Sequence, residues 1–163
     1  MAYIYSPYEK QIWDALNADI QNDYGVAGLM GNLYGESSLW PGRVENDFTS
    51  GYSISQQYTQ AFQNGQVSRE EFRCNTVPPQ VQGYGPGYGL AQWTYYARKY
   101  NYWDYQNAGQ HGQAGTVAFE CWFLLWELHN MPEFASTYNV LVNATSVNEA
   151  SDYVLEHFEN PRD

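Results

Sequence analysis

Apolar residues recur at helical spacing along most of the chain. From Pro7 to about Ile20 they fall at Ile12, Ala15, Leu16 and Ile20, with Trp13 beside them, and Ser6 stands where an N-cap belongs. A second helix is predicted from Asn22 or Asp23, presenting Val26, Leu29, Met30 and Leu33. Ser55 to Asn64, closed by Gly65, predicts a short third helix, and Ser68-Arg-Glu-Glu71 is a capping box for a fourth. Thr94 to about Gln106 is aromatic and reads ambiguously as helix. Thr116 to His129 is apolar nearly all round, the pattern of a buried central helix. Pro132 opens another, and Ser146-Val-Asn-Glu149 caps a last one through Val147, Ala150, Val154 and Phe158.

Residues 75–89 interrupt this pattern. Pro78, Pro79 and Pro86, with glycines at 83, 85, 87 and 89, predict a long loop. A loop of that length inside a compact domain is usually functional or mobile. There is no internal repeat and no linker composition, so the pattern predicts one mainly α domain over 1–163.

Composition narrows the classes. The chain has 163 residues, 44% of them hydrophobic, enough for one cored domain. No apolar run approaches the ~20 residues that span a bilayer. The N-terminus carries neither a basic n-region nor an apolar stretch, so no membrane span and no signal peptide are expected. Seven Lys+Arg against 18 Asp+Glu give a net charge of −11, the wrong sign for nucleic acid. Sixteen tyrosines exceed what a core easily uses, because each hydroxyl needs a partner or water. Tyrosine at a cleft offers sugar rings a rigid, amphipathic face. Cys74 and Cys121 are too few for a disulfide scaffold, and Cys121, inside Phe119-Glu-Cys-Trp-Phe-Leu-Leu-Trp126, is expected as a buried free thiol. That burial, and the lack of a motif around Cys74, count against a Cys-His peptidase. His111, His129 and His157 are scattered without metal-ligand spacing, so no zinc amidase, metal or organic cofactor is expected.

The carboxyl that stands out is Glu36. It shares a helix face with Leu29 and Leu33 and falls in the last turn before Ser37-Ser-Leu-Trp-Pro41. Desolvation there, together with the negative end of the helix dipole, predicts a raised pKa, as a general acid needs. The competing reading is a solvated carboxylate at a frayed helix end.

Gly31-Asn-Leu-Tyr-Gly-Glu-Ser-Ser-Leu39, followed by Gly87-Tyr-Gly-Leu-Ala-Gln-Trp-Thr94, resembles the phage tail-associated lysozyme family. Tyr58-Thr-Gln-Ala-Phe-Gln-Asn-Gly65, the stretch 144–152 and Phe158-Glu-Asn-Pro161 extend the likeness over nearly the whole chain. The resemblance implies a helical fold of the goose-type lysozyme and lytic transglycosylase kind. It implies a muramidase that cleaves the β-1,4 bond between N-acetylmuramic acid and N-acetylglucosamine, with Glu36 as catalytic acid. Ser37 and Gln92 would line the cleft, and Tyr88, Trp93 and Tyr96 would face sugar, core packing being the other reading of each ring. The partners implied are peptidoglycan glycan strands and other phage tail proteins, and the place of action is a virion tail or a released lysin at the bacterial wall.

A glycosidase normally uses two carboxylates. Glu45 and Asp47 stand near enough in sequence to serve as the second, with Glu70 and Glu71 behind them. The resemblance carries none of these, since Asn46 matches it better than Asp47. Lytic transglycosylases manage with one Glu and the substrate's own hydroxyl; both reactions are open, and the resemblance favours hydrolysis. A non-catalytic glycan-binding tail module is the remaining class. Aromatic richness and acidity suit it, while Glu36-Ser37 and Gly89-Leu-Ala-Gln92 count against it. Walls are polyanionic, so a charge of −11 predicts repulsion at low salt that screening relieves as salt rises; basic residues around the cleft would overturn this, and Arg43, Arg98 and Lys99 are the candidates.

Overall fold

The computed structural model describes residues 6–47, 52–75 and 85–159. These residues form α1 (Glu9–Ile20), α2 (Asp23–Ser37), α3 (Ser53–Gln63), α4 (Arg69–Cys74), α5 (Tyr96–Ala108), α6 (Val117–Asn130), α7 (Ala135–Asn143) and α8 (Val147–Val154). A 3-10 turn at Pro132–Phe134 leads into α7, and α8 runs on as a π turn, Leu155–Glu159. No strand occurs among the described residues. The fold is mainly α, as the hydrophobic pattern predicts. The ambiguous aromatic stretch after Thr94 is helical. Of the long Gly/Pro loop, residues 76–84 lie outside the described residues.

The chain divides into two compact units, Met1–Leu39 with Cys121–Asp163, and Trp40–Glu120. In the first, α2 packs mainly on α8 and also meets α1 and α7. Two glycines permit this. A Cβ on Gly25 would lie 2.0 Å from the Leu141 carbonyl oxygen, and one on Gly28 2.6 Å from the Ala150 Cβ. Side-chain amides stitch the close backbones: Asn22 Nδ2 donates to the carbonyls of Val142 and Ala144, and Asn32 Nδ2 to that of Ser151. Ile12, Leu16, Leu29, Leu33, Leu141 and Val154 are buried, and Phe134 meets Phe158 edge-on at 4.7 Å.

The caps follow local chemistry, with two shifts. Asn22 accepts from the Gly25 N–H and starts α2 as expected. Ser6 accepts from the Tyr8 N–H and donates to the Leu39 carbonyl, so it makes a turn ahead of α1, which begins at Glu9. Ser146 accepts from the Glu149 N–H, but the Glu149 carboxylate reaches back to Thr145, one residue past the Ser146 N–H that a full capping box uses.

The second unit gathers α3, α4, α5 and the first turn of α6 around aromatic rings. Tyr58, Phe62, Phe72, Tyr88, Trp93, Tyr102 and Phe119 are buried, neighbouring centroids standing 4.7–6.2 Å apart. Such spacings suit edge-on and offset ring pairs. The predicted capping box opens α4 in full. Arg43, Asp47, Arg98, Lys99 and Glu120 are also buried in this unit.

Candidate active site

In the first unit, Glu36 lies in the last turn of α2 and is half-buried. Behind it the chain leaves the helix through two successive left-handed residues, Ser38 (φ 56) and Leu39 (φ 61). Left-handed backbone at a bulky non-glycine residue such as Leu39 is uncommon and persists only where the surroundings hold it. Here the Ser38 N–H donates to the Tyr34 carbonyl, and the Ser6 hydroxyl donates to that of Leu39. The turn that presents Glu36 is therefore fixed from both sides. Ser37 does not fit its expected role. It is fully buried, and its hydroxyl donates to the Leu33 carbonyl one helical turn back, at 3.0 Å.

In the second unit, the stretch 42–47 runs beside 85–93. The Glu45 N–H donates to the Gly87 carbonyl and the Gly89 N–H to that of Arg43, each at 2.8 Å. Tyr88 bridges both Val44 and Trp93. Gln92 sits in the left-handed region (φ 49), and its Nε2 donates to the carbonyls of Arg43 and Gly89. The Glu45 carboxylate lies across the bare backbone of Gly85 and Gly87: Cβ atoms there would come 1.5 Å from its Oε2 and 2.7 Å from its Oε1. A Cβ on Gly87 would also stand 3.0 Å from the Gln92 Oε1. Carboxylate and amide oxygens thus converge on one glycine, and both side chains are half-buried. Alternating glycines in this stretch serve close approach, a reading that freedom of the loop alone does not supply.

The other predicted site residues have different surroundings. Asp47 is fully buried; its Oδ2 accepts from both the N–H and the hydroxyl of Ser55, bracing the start of α3. Tyr88 is fully buried among Tyr58, Phe62, Phe72 and Tyr102, its hydroxyl paired with that of Thr59. Trp93 is 1% exposed and lies against Gly89 and Tyr102. These two rings are core, because rings from α3, α4 and α5 receive them. Tyr96 remains at the surface, 51% exposed beside Tyr95 and Tyr100. Glu70 and Glu71 serve α4, Glu71 in its capping box and Glu70 accepting from the Tyr100 hydroxyl. Arg43, Arg98 and Lys99 are 4%, 5% and 0% exposed, so none shows a free cation to a polyanionic wall.

Two buried charges anchor the 85–92 segment, and neither was singled out for that role from sequence. Lys99 donates from Nζ to the Asn75 Oδ1 at 2.9 Å and to the Pro86 carbonyl, 4.3 Å from the Phe72 ring centre. Asn75 in turn donates to the carbonyls of Gly85 and Gly87. Burial pushes the Lys99 pKa down to about 7, with Cys74 and Glu45 opposing. At the other end Glu120 accepts from Gly42, Leu90 and Tyr102. Burial pushes its pKa up to about 7 against those hydrogen bonds. The signal for Glu120 was present as one of two acids, with Glu127, inside an otherwise apolar run.

Cys74 is exposed and Cys121 buried, both as free thiols. Among the described residues no cluster of His, Cys, Asp and Glu could hold a metal ion, and no helix is long and apolar enough to cross a membrane.

The model of the phage tail lysozyme family matches residues 8–163. No curated protein and no solved structure matches the chain. The chain therefore belongs to the phage tail lysozyme family, whose activity is lysozyme-type degradation of peptidoglycan at the bacterial wall.

Proposed function

We propose that this member of the phage tail lysozymes is a muramidase, hydrolysing the β-1,4 bond between N-acetylmuramic acid and N-acetylglucosamine with Glu36 as general acid. The observation that carries the reading is the placement of Glu36: half-buried, at the end of α2, ahead of two held left-handed residues. Glu36 gives its proton to the glycosidic oxygen as the C1–O bond breaks. Glu45, in the second unit, is the acidic group assigned to the glycan there, accepting a proton from a hydroxyl or water. Its support is its place beside Gln92 over Gly85 and Gly87, and the internal use of Asp47. Tyr96 offers a surface ring to a sugar face, and the Gln92 Oε1 accepts from an N-acetyl N–H or a hydroxyl.

Glu36→Gln tests the central role. The expected result is a folded protein whose cleavage of purified walls falls on the order of 10²-fold or more. Borohydride reduction and mass analysis of the products test the reaction. Reducible N-acetylmuramic acid ends are expected; 1,6-anhydro ends would identify a lytic transglycosylase. Wall binding without cleavage by the wild type would identify a glycan-binding module instead.

A further inference from the structure

We infer that Glu120 is a positioning residue of this site, a buried carboxylate that fixes from inside the unit the two backbone segments carrying Glu45 and Gln92. The inference rests on the proposed role of Glu45 and Gln92 in glycan cleavage. Oε1 of Glu120 accepts from the Gly42 N–H (3.2 Å) and the Leu90 N–H (2.9 Å). Oε2 accepts from the Tyr102 hydroxyl (2.7 Å), and more weakly from Gly42 (3.3 Å). Gly42 stands three residues before Glu45, and Leu90 two before Gln92. Those segments are joined again by Gly89 N–H to Arg43 O and by Gln92 Nε2 to the same carbonyl. A Cβ on Gly89 would lie 2.5 Å from Oε2, so this glycine (φ 85) is what lets the segment close onto the carboxylate.

The chemistry of the clamp demands an acid. Three donors point at one buried group, and a carboxylate accepts from all of them; these hydrogen bonds favour its ionised form while burial favours the neutral one. An apolar residue leaves two backbone N–H groups without partners. Glutamine keeps the shape but turns an NH2 donor toward one of the existing donors. The titratable groups facing Glu120 are Tyr102 and Tyr88, both kept protonated by burial, so only Glu120 changes charge in this cluster near neutral pH.

The experiment compares wild type, Glu120→Gln and Glu36→Gln in the full chain on soluble glycan strands stripped of peptide. Glu120→Gln is expected to lower kcat/KM at least tenfold, through KM as Gln92 shifts and through kcat as Glu45 does. The limb in the wild-type profile of kcat/KM against pH near 7 is expected to lose the part that Glu120 contributes, while the part from Lys99, which faces Glu45, remains in it and is lost in Lys99→Met. Glu36→Gln should lose turnover and retain glycan binding. A folded Glu120→Gln protein with wild-type kcat/KM and pH profile overturns the inference. Wild type that cleaves nothing overturns the functional reading alone, because a second measurement needs no activity and no variant. In wild type titrated by amide NMR, the Gln92 side-chain amide is expected to move with the same midpoint as the Gly42 and Leu90 N–H signals. A Gln92 amide that stays still while those two titrate overturns the coupling.

Discussion

The two units close their cores by opposite means. The first relies on shape: aliphatic side chains, bare glycines at 25 and 28, and side-chain amides that stitch close backbones, with Glu127 as its one buried charge among the described residues. The second uses aromatic rings and takes in Arg43, Asp47, Arg98, Lys99 and Glu120. A core held by shape fails when volume is added. A core that holds charges fails when a proton is gained or lost, since an ionised group inside requires every partner to be present. The difference explains why the irregular segments sit in the second unit. Helices satisfy their own backbone, whereas 42–47 and 85–93 need outside acceptors and donors, and the buried charges supply them.

The largest effect expected is on stability against pH. Glu120 has a folded pKa above its ordinary 4.5, so its contribution is full below 4.5 and is lost as pH rises to about 7. Lys99 has a folded pKa below its ordinary 10.5; its contribution is full above that value and is lost as pH falls to about 7. Stability is therefore expected to be lowest near pH 7, each arm amounting to on the order of 3 kcal/mol or more. Urea unfolding between pH 5 and 10 measures it. Glu120→Gln should flatten the acid arm and Lys99→Met the alkaline one. A wild-type curve that is flat across the range would break the contrast between the units.

Next in size is a steric test of the first unit. Gly25→Ala places a methyl 2.0 Å from the Leu141 carbonyl oxygen, which only a backbone shift can relieve. A loss of about 3 kcal/mol is expected, the upper end of ordinary overpacking, with no dependence on pH. Thermal unfolding at two pH values checks both statements.

Gly87→Ala separates stability from function in the second unit. The methyl would meet the end of the Glu45 side chain at 2.7 Å, and that end can swing away. Stability should change by less than about 1 kcal/mol, while activity on walls falls roughly tenfold as Glu45 leaves its place beside Gln92. Full activity in this variant would remove Glu45 from the mechanism.

The smallest effect has the opposite sign. Gly31 is exposed inside α2, and a Cβ there meets nothing within 4 Å. Gly31→Ala should stabilise the first unit by about 1 kcal/mol through helix propensity and lower entropy of the unfolded chain. A loss of wall cleavage in that stabilised variant would show that substrate needs the bare position.

The sequence alone determined what depends on neighbours a few residues away. The stripe of α2, its Asn22 cap, the Ser68 capping box and the place of Glu36 in a last helical turn all rest on spacings of three or four residues. The motifs around Glu36 and Gln92 carried the family in the same local way. Tertiary structure decided what depends on partners far along the chain. Tyr88 and Trp93 turned inward because rings from α3, α4 and α5 were there to receive them. Asp47 was drawn into bracing α3 by Ser55, which left Glu45 beside Gln92. Glu120 meets Gly42 across 78 residues, and nothing within a helical turn of it announces two backbone N–H groups waiting for an acceptor. Periodicity assigns a side chain to a face; which donors and rings that face meets is fixed only when distant segments arrive, and the buried charges of the second unit belong wholly to that later step.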